Sequence, residues 1–305
     1  MKQVELIFLL FFSTTLQSQT LEGKVYDSET KQPLEFVNVF FKKTTYGTFT
    51  NDKGEFKLDF SNENDTLYFS TIGYKIQKFR ISDIVSTKEF YLAETKKKLD
   101  EIVLLGEKLE YASSKKIKEN LKAEETNYFS FQLGTEHCIY IPNNSRIKGK
   151  IQSLVLDLKE VKDGTKDCRN CKVDYITDFN IKFYEYDVKN KKPGNEIYSK
   201  PIFVEPKNKT YSLNIDVEAF NIPFLENGIC VGVEVINTKY KKPKLAGAFT
   251  APSINFERIR KSKNEESWVR YRNSGNWNFN SYLGNDNKGK FYDRLKIDLT
   301  VKFIN

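Results

Sequence analysis

Short runs of alternating apolar residues, broken by a turn signal about every ten positions, dominate residues 20–104. Phe56, Leu58 and Phe60 alternate strictly, the period of a strand that buries one face. Gly23-Lys24-Val25-Tyr26-Asp27 opens a strand and runs into a polar turn, and Val37, Val39 and Phe41 share one face of the next extended stretch. Thr50-Asn51-Asp52-Lys53-Gly54 is turn chemistry: Gly tolerates positive φ, and Asn and Asp bond their own backbone. Leu67 with Phe69, Phe79 with Ile81, Tyr91-Leu92 and Ile102-Val103 complete about seven short strands, which predicts a β-sandwich.

Residues 105–126 change character. Lys and Glu are interspersed there with Leu109, Ile117 and Leu121, a pattern that suits a helical connector with one docking stripe or a solvated linker. From 127 to 305 the strand pattern returns in Leu154-Leu156-Leu158, Phe179-Ile181-Phe183, Leu213-Ile215-Val217 and Ile229-Val231-Val233-Val235, each at every second position. Leu295, Ile297, Leu299, Val301 and Phe303 predict one nine-residue closing strand with a wet and a dry face. The fold class expected is all-β: a seven-stranded sandwich followed by a larger one with long loops, of jelly-roll type.

The N-terminus reads as an export signal over residues 1–19. Lys2 is followed by an apolar run from Leu6 to Phe12 and then by small polar residues from Ser13 to Ser18. That run is too short to span a bilayer, and no later stretch is long enough. The mature chain is therefore expected to have no transmembrane segment and to lie in the periplasm, at the outer membrane or outside the cell. The net charge of +8 is uneven: residues 20–104 carry 13 Lys/Arg against 14 Asp/Glu, and residues 105–305 carry 35 against 26. An anionic partner would favour the second part. Nucleic acid is not expected, since no recognition motif occurs.

Residues 20–104 resemble the carboxypeptidase-regulatory-like domains of Bacteroidota. The resemblance rests on Gly23-Lys24-Val25, Gln32-Pro33-Leu34, Gly47-Thr48, the turn from Thr50 to Phe56, Phe69-Ser70-Thr71-Ile72-Gly73-Tyr74 and Leu99-Asp100-Glu101-Ile102-Val103. It implies a transthyretin-like seven-stranded sandwich, a unit often placed ahead of another module, including the plug and barrel of TonB-dependent receptors. The remaining residues are too few for such a barrel, so receptor transport is not implied. A peptidase is not implied either: a zinc carboxypeptidase needs two His ligands, and the chain holds one His, His137. Phe183-Tyr184-Glu185-Tyr186, Pro193-Gly194-Asn195, Leu213-Asn214-Ile215-Asp216 and the stretch from Gly228 to Glu234 resemble a jelly-roll module that follows this domain in envelope proteins.

Several motifs invite chemistry. Cys168-Arg169-Asn170-Cys171 could hold zinc with Cys138 and Cys230, but in an exported chain disulfides are the favoured reading, pairing 168 with 171 and 138 with 230. Gly284 to Lys290 nearly matches a phosphate-cradling loop, yet Phe291 stands where a Ser or Thr hydroxyl is needed, so it reads as a polar turn. His137 lacks a local orienting partner for base catalysis. Asp163, Asp167, Glu265 and Glu266 lie in charged loops. Trp268, Arg270, Tyr271, Arg272 and Trp277 bring both tryptophans together with arginine. That combination suits stacking on sugar rings, and large aromatics also suit capping the sandwich core, the favoured use. Two basic clusters, Lys239 to Lys244 and Arg258 to Lys263, suit phosphates or acidic glycans, or a solvated loop.

These features predict a non-enzymatic exported envelope protein without metal or cofactor. Its expected partner is a glycan, an anionic envelope component or an outer-membrane protein. The alternatives are a structural or assembly partner of an outer-membrane complex, and a hydrolase with an unrecognised carboxylate site in the second domain.

Overall fold

The structure is a computed structural model. It describes residues 19–41, 47–60, 62–71, 73–95, 110–117, 123–160, 173–174, 177–198, 200–207, 209–237, 249–260, 267–271, 276–279 and 291–305. The signal segment through Ser18, the Leu99–Val103 close, Cys168, Cys171, Arg272, the 284–290 loop, both acidic pairs and most of the two basic clusters lie outside these residues. The described chain is all-β apart from two single helical turns.

The first unit holds β1 (Gln19–Asp27), β2 (Asn38–Phe41), β3 (Gly47–Phe49), β4 (Glu55–Phe60), β5 (Thr66–Ser70), β6 (Gln77–Arg80), the one-turn helix α1 (Ile81–Ile84) and β7 (Glu89–Leu92). One sheet runs β4-β1-β7 and the other β3-β2-β5-β6. The alternating positions of both meet in one buried cluster that includes Val25, Val39, Phe56, Leu58, Phe69 and Phe90. Phe69 stacks on Phe90 at 4.7 Å and meets Phe56 edge-on at 5.5 Å.

Gly23 answers a close approach, because a Cβ there would lie 2.7 Å from the Phe90 ring and 3.0 Å from Phe56. The expected tight turn forms as its residues dictate. Asn51 Oδ1 accepts from Lys53 N at 3.0 Å and Glu55 N at 2.8 Å, and Gly54 takes φ +72°. One local expectation fails. Ile81 does not continue a strand; it opens α1, where Ile81 and Ile84, three apart, both reach the core. Gly47-Thr48 lies in β3, which pairs with β2.

The second unit holds β8 (Lys115–Ile117), β9 (Ala123–Gln132), β10 (Thr135–Ile141), β11 (Gly149–Lys159), β12 (Val173–Asp174), β13 (Asp178–Asp187), β14 (Lys192–Glu196), β15 (Ile202–Val204), β16 (Tyr211–Asp216), β17 (Pro223–Phe224), β18 (Ile229–Ile236), β19 (Phe249–Arg260), β20 (Ser267–Tyr271), β21 (Asn278–Phe279), β22 (Phe291–Leu295) and β23 (Ile297–Phe303). A seven-stranded sheet runs β14-β13-β18-β10-β20-β21, with β15 on β13. A nine-stranded sheet runs β12-β19-β11-β23-β8, with β16 and β17 on β11 and β9 and β22 on β19. Their inner faces share one core, with Ile139, Phe179 and Val231 on one side and Leu154, Phe256 and Leu299 on the other.

The described part of the 105–126 connector is extended: β8 pairs with β23, and β9 begins at Ala123. The closing strand is not continuous. β22 pairs with β19, whereas β23 pairs with β11 and β8, and the chain changes partners at Lys296. There the Lys296 N–H donates to Asn255 O at 2.9 Å, and its ammonium lies 2.6 Å from Asp157 Oδ2. Leu295 and Ile297 enter the same core, so the alternation runs through the switch unchanged.

Candidate functional site

Pleating puts Glu136, Cys138 and Tyr140 of β10 on the outer face of the seven-stranded sheet, since Ile139 and Ile141 face the core. The same rule sends out Asn180, Lys182 and Tyr184 of β13, Cys230, Gly232 and Glu234 of β18, and Trp268 and Arg270 of β20. Polar residues on an outer face normally meet water. Here they do not: all eight positions of β18 are buried, and Glu136 is 0% exposed.

Register explains how this face holds charge. Asn180, Glu234, Glu136 and Arg270 stand directly opposite one another across β13, β18, β10 and β20. Asn180 Nδ2 donates to Glu234 Oε2 at 3.2 Å. Lys182 Nζ reaches Glu234 at 2.9 Å and Glu136 at 3.6 Å. Arg270 Nε donates to Glu136 Oε2 at 2.7 Å, and its Nη2 donates to Tyr184 Oη, also at 2.7 Å. Tyr184 Oη in turn donates to Glu136 Oε1 at 2.6 Å. Gly232 makes the room, because a Cβ there would lie 2.6 Å from Glu136 Oε1 and 3.0 Å from the Tyr184 ring.

The electrostatics follow from this pairing. Burial pushes the Glu136 carboxyl up, but Arg270 and Lys182 outweigh it and hold the group below its usual range. Burial likewise opposes the charge on Lys182, and Glu136 and Glu234 reverse that and raise it. Burial and the Glu136 charge keep the Tyr184 phenol protonated. Glu196 of β14, paired with Tyr184 across the sheet, is the surplus carboxyl. Burial raises it to about 7, and its Oε1 is buried without a hydrogen-bond partner among the described residues.

Beside the network lies a cavity of 240 Å³ between the two units. One wall is the outer face of the four-stranded sheet, where Phe49, Asn38 and Ser70 stand opposite one another on β3, β2 and β5. Asn38 and Ser70 are buried although they point away from their own core. The opposing wall carries Asn180, Lys182 and Glu234. The Phe36 ring meets the Phe203 ring at 4.5 Å and 59°. Phe36 is half-buried and Phe203 exposed, which sets this pair at the mouth. Phe36 takes φ +57°, a left-handed conformation that costs a bulky residue about 1–3 kcal/mol and marks positions the surroundings over-determine.

The residues singled out in the sequence fall around the network. Trp268 is 3% exposed and packs with Cys138, Tyr184 and Cys230, so its ring lies within the fold. Arg270 is buried in its ion pair, with its guanidinium 4.1 Å from the half-buried Trp277 ring. Tyr271 is half-buried on the same strand. His137 meets Phe256 of the core edge-on, and burial lowers its pKa to about 4. The expected Cys138–Cys230 disulfide is not formed: both are buried free thiols. Cys138 stands opposite Gly232 and Cys230 opposite Tyr140, so the pair is diagonal. The two thiols meet in a hydrogen bond and not a covalent one. Sequence reasoning does not single out Glu136, Lys182, Gly232 or Glu234. Alternation gives the face they share, but nothing local gives its burial.

Residues 21–104 match the CarboxypepD_reg-like domain family. The four-stranded wall of the cavity therefore belongs to the CarboxypepD_reg-like unit, and the ion-pair network to the sandwich that follows it. No curated protein matches the chain. Among solved structures, 93% of the chain is similar to 60% of a chain in the structure of infectious bursal disease virus Gx strain, at 10% identity and a TM-score of 0.27. For the Gt strain of the same virus, 94% of this chain aligns with 55% of that one, at 8% identity and a TM-score of 0.23. The chain spans less than two thirds of either viral chain, and a likeness at this level carries neither fold nor function. Among the described residues no helix is long and apolar enough to cross a membrane, and no cluster of His, Cys, Asp and Glu is arranged to hold a metal.

Proposed function

We propose that this chain is a non-catalytic binding protein of the bacterial cell envelope, exported by its N-terminal segment, with its ligand site at the junction of the two sandwiches. The CarboxypepD_reg-like unit and the sandwich after it, of jelly-roll type in this reading, act together as one recognition surface. The expected ligand is a glycan or another outer-membrane component.

One observation supports this most: the 240 Å³ cavity is walled by both units, with an aromatic ring from each at its mouth. Polar and aromatic groups converge there in the way binding pockets combine orientation with apolar area. The hydrolase alternative has one point in its favour, the Glu196 carboxyl raised to about 7. Acid–base chemistry also needs an ionised carboxylate poised at the substrate. Glu136 and Glu234 are instead held by Arg270 and Lys182, which suits scaffolding better than catalysis.

The test is a thermal-shift screen of the full mature chain against purified envelope polysaccharides and lipopolysaccharide. A stabilising fraction whose effect is lost in Phe203→Ala supports the proposal. Stabilisation of both proteins alike, or hydrolysis of a fraction on incubation, contradicts it.

A further inference from the structure

We infer that the junction cavity takes one uncharged sugar unit, an inference that rests on the binding-protein reading above and names its ligand class. Size sets the first limit. At 240 Å³ the cavity falls below the roughly 300–1,000 Å³ typical of pockets for drug-sized ligands, so it admits a single small ring and not a chain segment.

Charge sets the second. The walls carry two carboxylates, Glu35 and Glu234, against one ammonium, Lys182. That ammonium sits between Glu234 and Glu136 at 2.9 and 3.6 Å, so its field is already met by two anions. An incoming anion would meet carboxylates and, among the described lining residues, no uncompensated cation. An incoming cation would lose its water where the Glu234 carboxylate is already engaged by Lys182 and Asn180. An uncharged ligand avoids both penalties.

Chemistry sets the third. Asn38 and Asn180 line it with an amide from each unit, Ser70 and Thr71 with hydroxyls, and Glu35 and Glu234 with carboxylates. Asn180 already donates to Glu234 and accepts from Ile202 N, so a ligand would meet its second N–H and second lone pair. Vicinal hydroxyls, each both donor and acceptor, match such a mixed set. Phe36, Phe49 and Phe203 supply apolar ring faces for the C–H side of a pyranose. No single unit holds all of this: the rings at the mouth and the amides come one from each sandwich.

The experiment holds the ring frame constant and varies its charge. Saturation-transfer NMR and calorimetry on the full mature chain would compare glucose, galactose, mannose and N-acetylglucosamine with glucuronate and glucosamine. The variants are Phe203→Ala, Phe36→Gly and Thr71→Trp. Glycine accepts the left-handed backbone at 36, so Phe36→Gly removes the ring without strain. Thr71→Trp fills the cavity while keeping both rings.

The expected result is binding of at least one uncharged sugar. It should weaken roughly tenfold on loss of either ring and vanish on filling. A charged sugar that binds better than every uncharged one overturns the inference. So does sugar binding unchanged in all three variants, which would put a saccharide elsewhere and leave the binding-protein reading standing. If no sugar binds while an envelope fraction still stabilises the wild type in a Phe203-dependent way, the sugar assignment falls and the junction site survives.

Discussion

Glu136 stands directly opposite Glu234 across the β10–β18 pair, two carboxylates on one buried face with the Lys182 ammonium between them. Like charges opposed on a sheet repel. The arrangement persists because Lys182 touches both and Arg270 takes the far side of Glu136. Lys182→Met should therefore destabilise the second sandwich by about 3–5 kcal/mol, the cost of stranding a buried charge. Denaturant titration reads this directly. Adding Glu234→Gln should recover part of the loss, so that the double variant is less destabilised than the two single effects added together.

Gly232 is the space that the network occupies. Gly232→Ala should cost about 1–3 kcal/mol, because its Cβ would lie 2.6 Å from Glu136 Oε1. The same substitution at Gly194, where the nearest atom lies 3.3 Å away, should be milder. A chemical melt of the two variants side by side checks the ranking.

Two buried groups impose opposite pH dependences. Glu196 titrates near 7 folded and near 4.5 unfolded, so the folded state binds the extra proton between these values. Its contribution to stability is full below about 4.5 and is lost as pH rises to about 7. His137 titrates near 4 folded and 6.5 unfolded, so its contribution is full above about 6.5 and is lost as pH falls to about 4. Glu196→Gln should leave the second dependence exposed, with a Tm that rises steadily from about pH 4 to about pH 7. A Tm profile unchanged by that substitution would show that Glu196 is not buried as described.

Burial raises the Cys138 thiol well above its usual range. Iodoacetamide should leave Cys138 and Cys230 unmodified in the folded protein and alkylate both after denaturation. A peptide joining them in a non-reduced digest would contradict the free thiols.

Much of the fold is legible because alternation reports which residues face a core. Phe56-Leu58-Phe60 and Ile229-Val231-Val233-Val235 sit on the buried faces that their period demands. Alternation does not report what covers the opposite face. It assigns Glu136, Lys182 and Glu234 to a face that would be wet in a lone sandwich, and no local signal marks that face as covered. The break at Lys296 is invisible for a related reason: the strand changes partners without changing which side is apolar. Trp268 and Trp277 stand out by composition, yet Phe36 and Phe203, far apart in sequence, form the ring pair at the cavity.

The two sandwiches meet around that ring pair, and an NOE experiment on selectively Phe-labelled protein reads the meeting without intermediaries. Cross-peaks between the ring protons of Phe36 and Phe203, abolished in Phe36→Gly, are predicted from their 4.5 Å centroid separation. Absence of those cross-peaks, with Phe203 resonances unmoved by the Phe36 substitution, would mean that the two units do not share this junction.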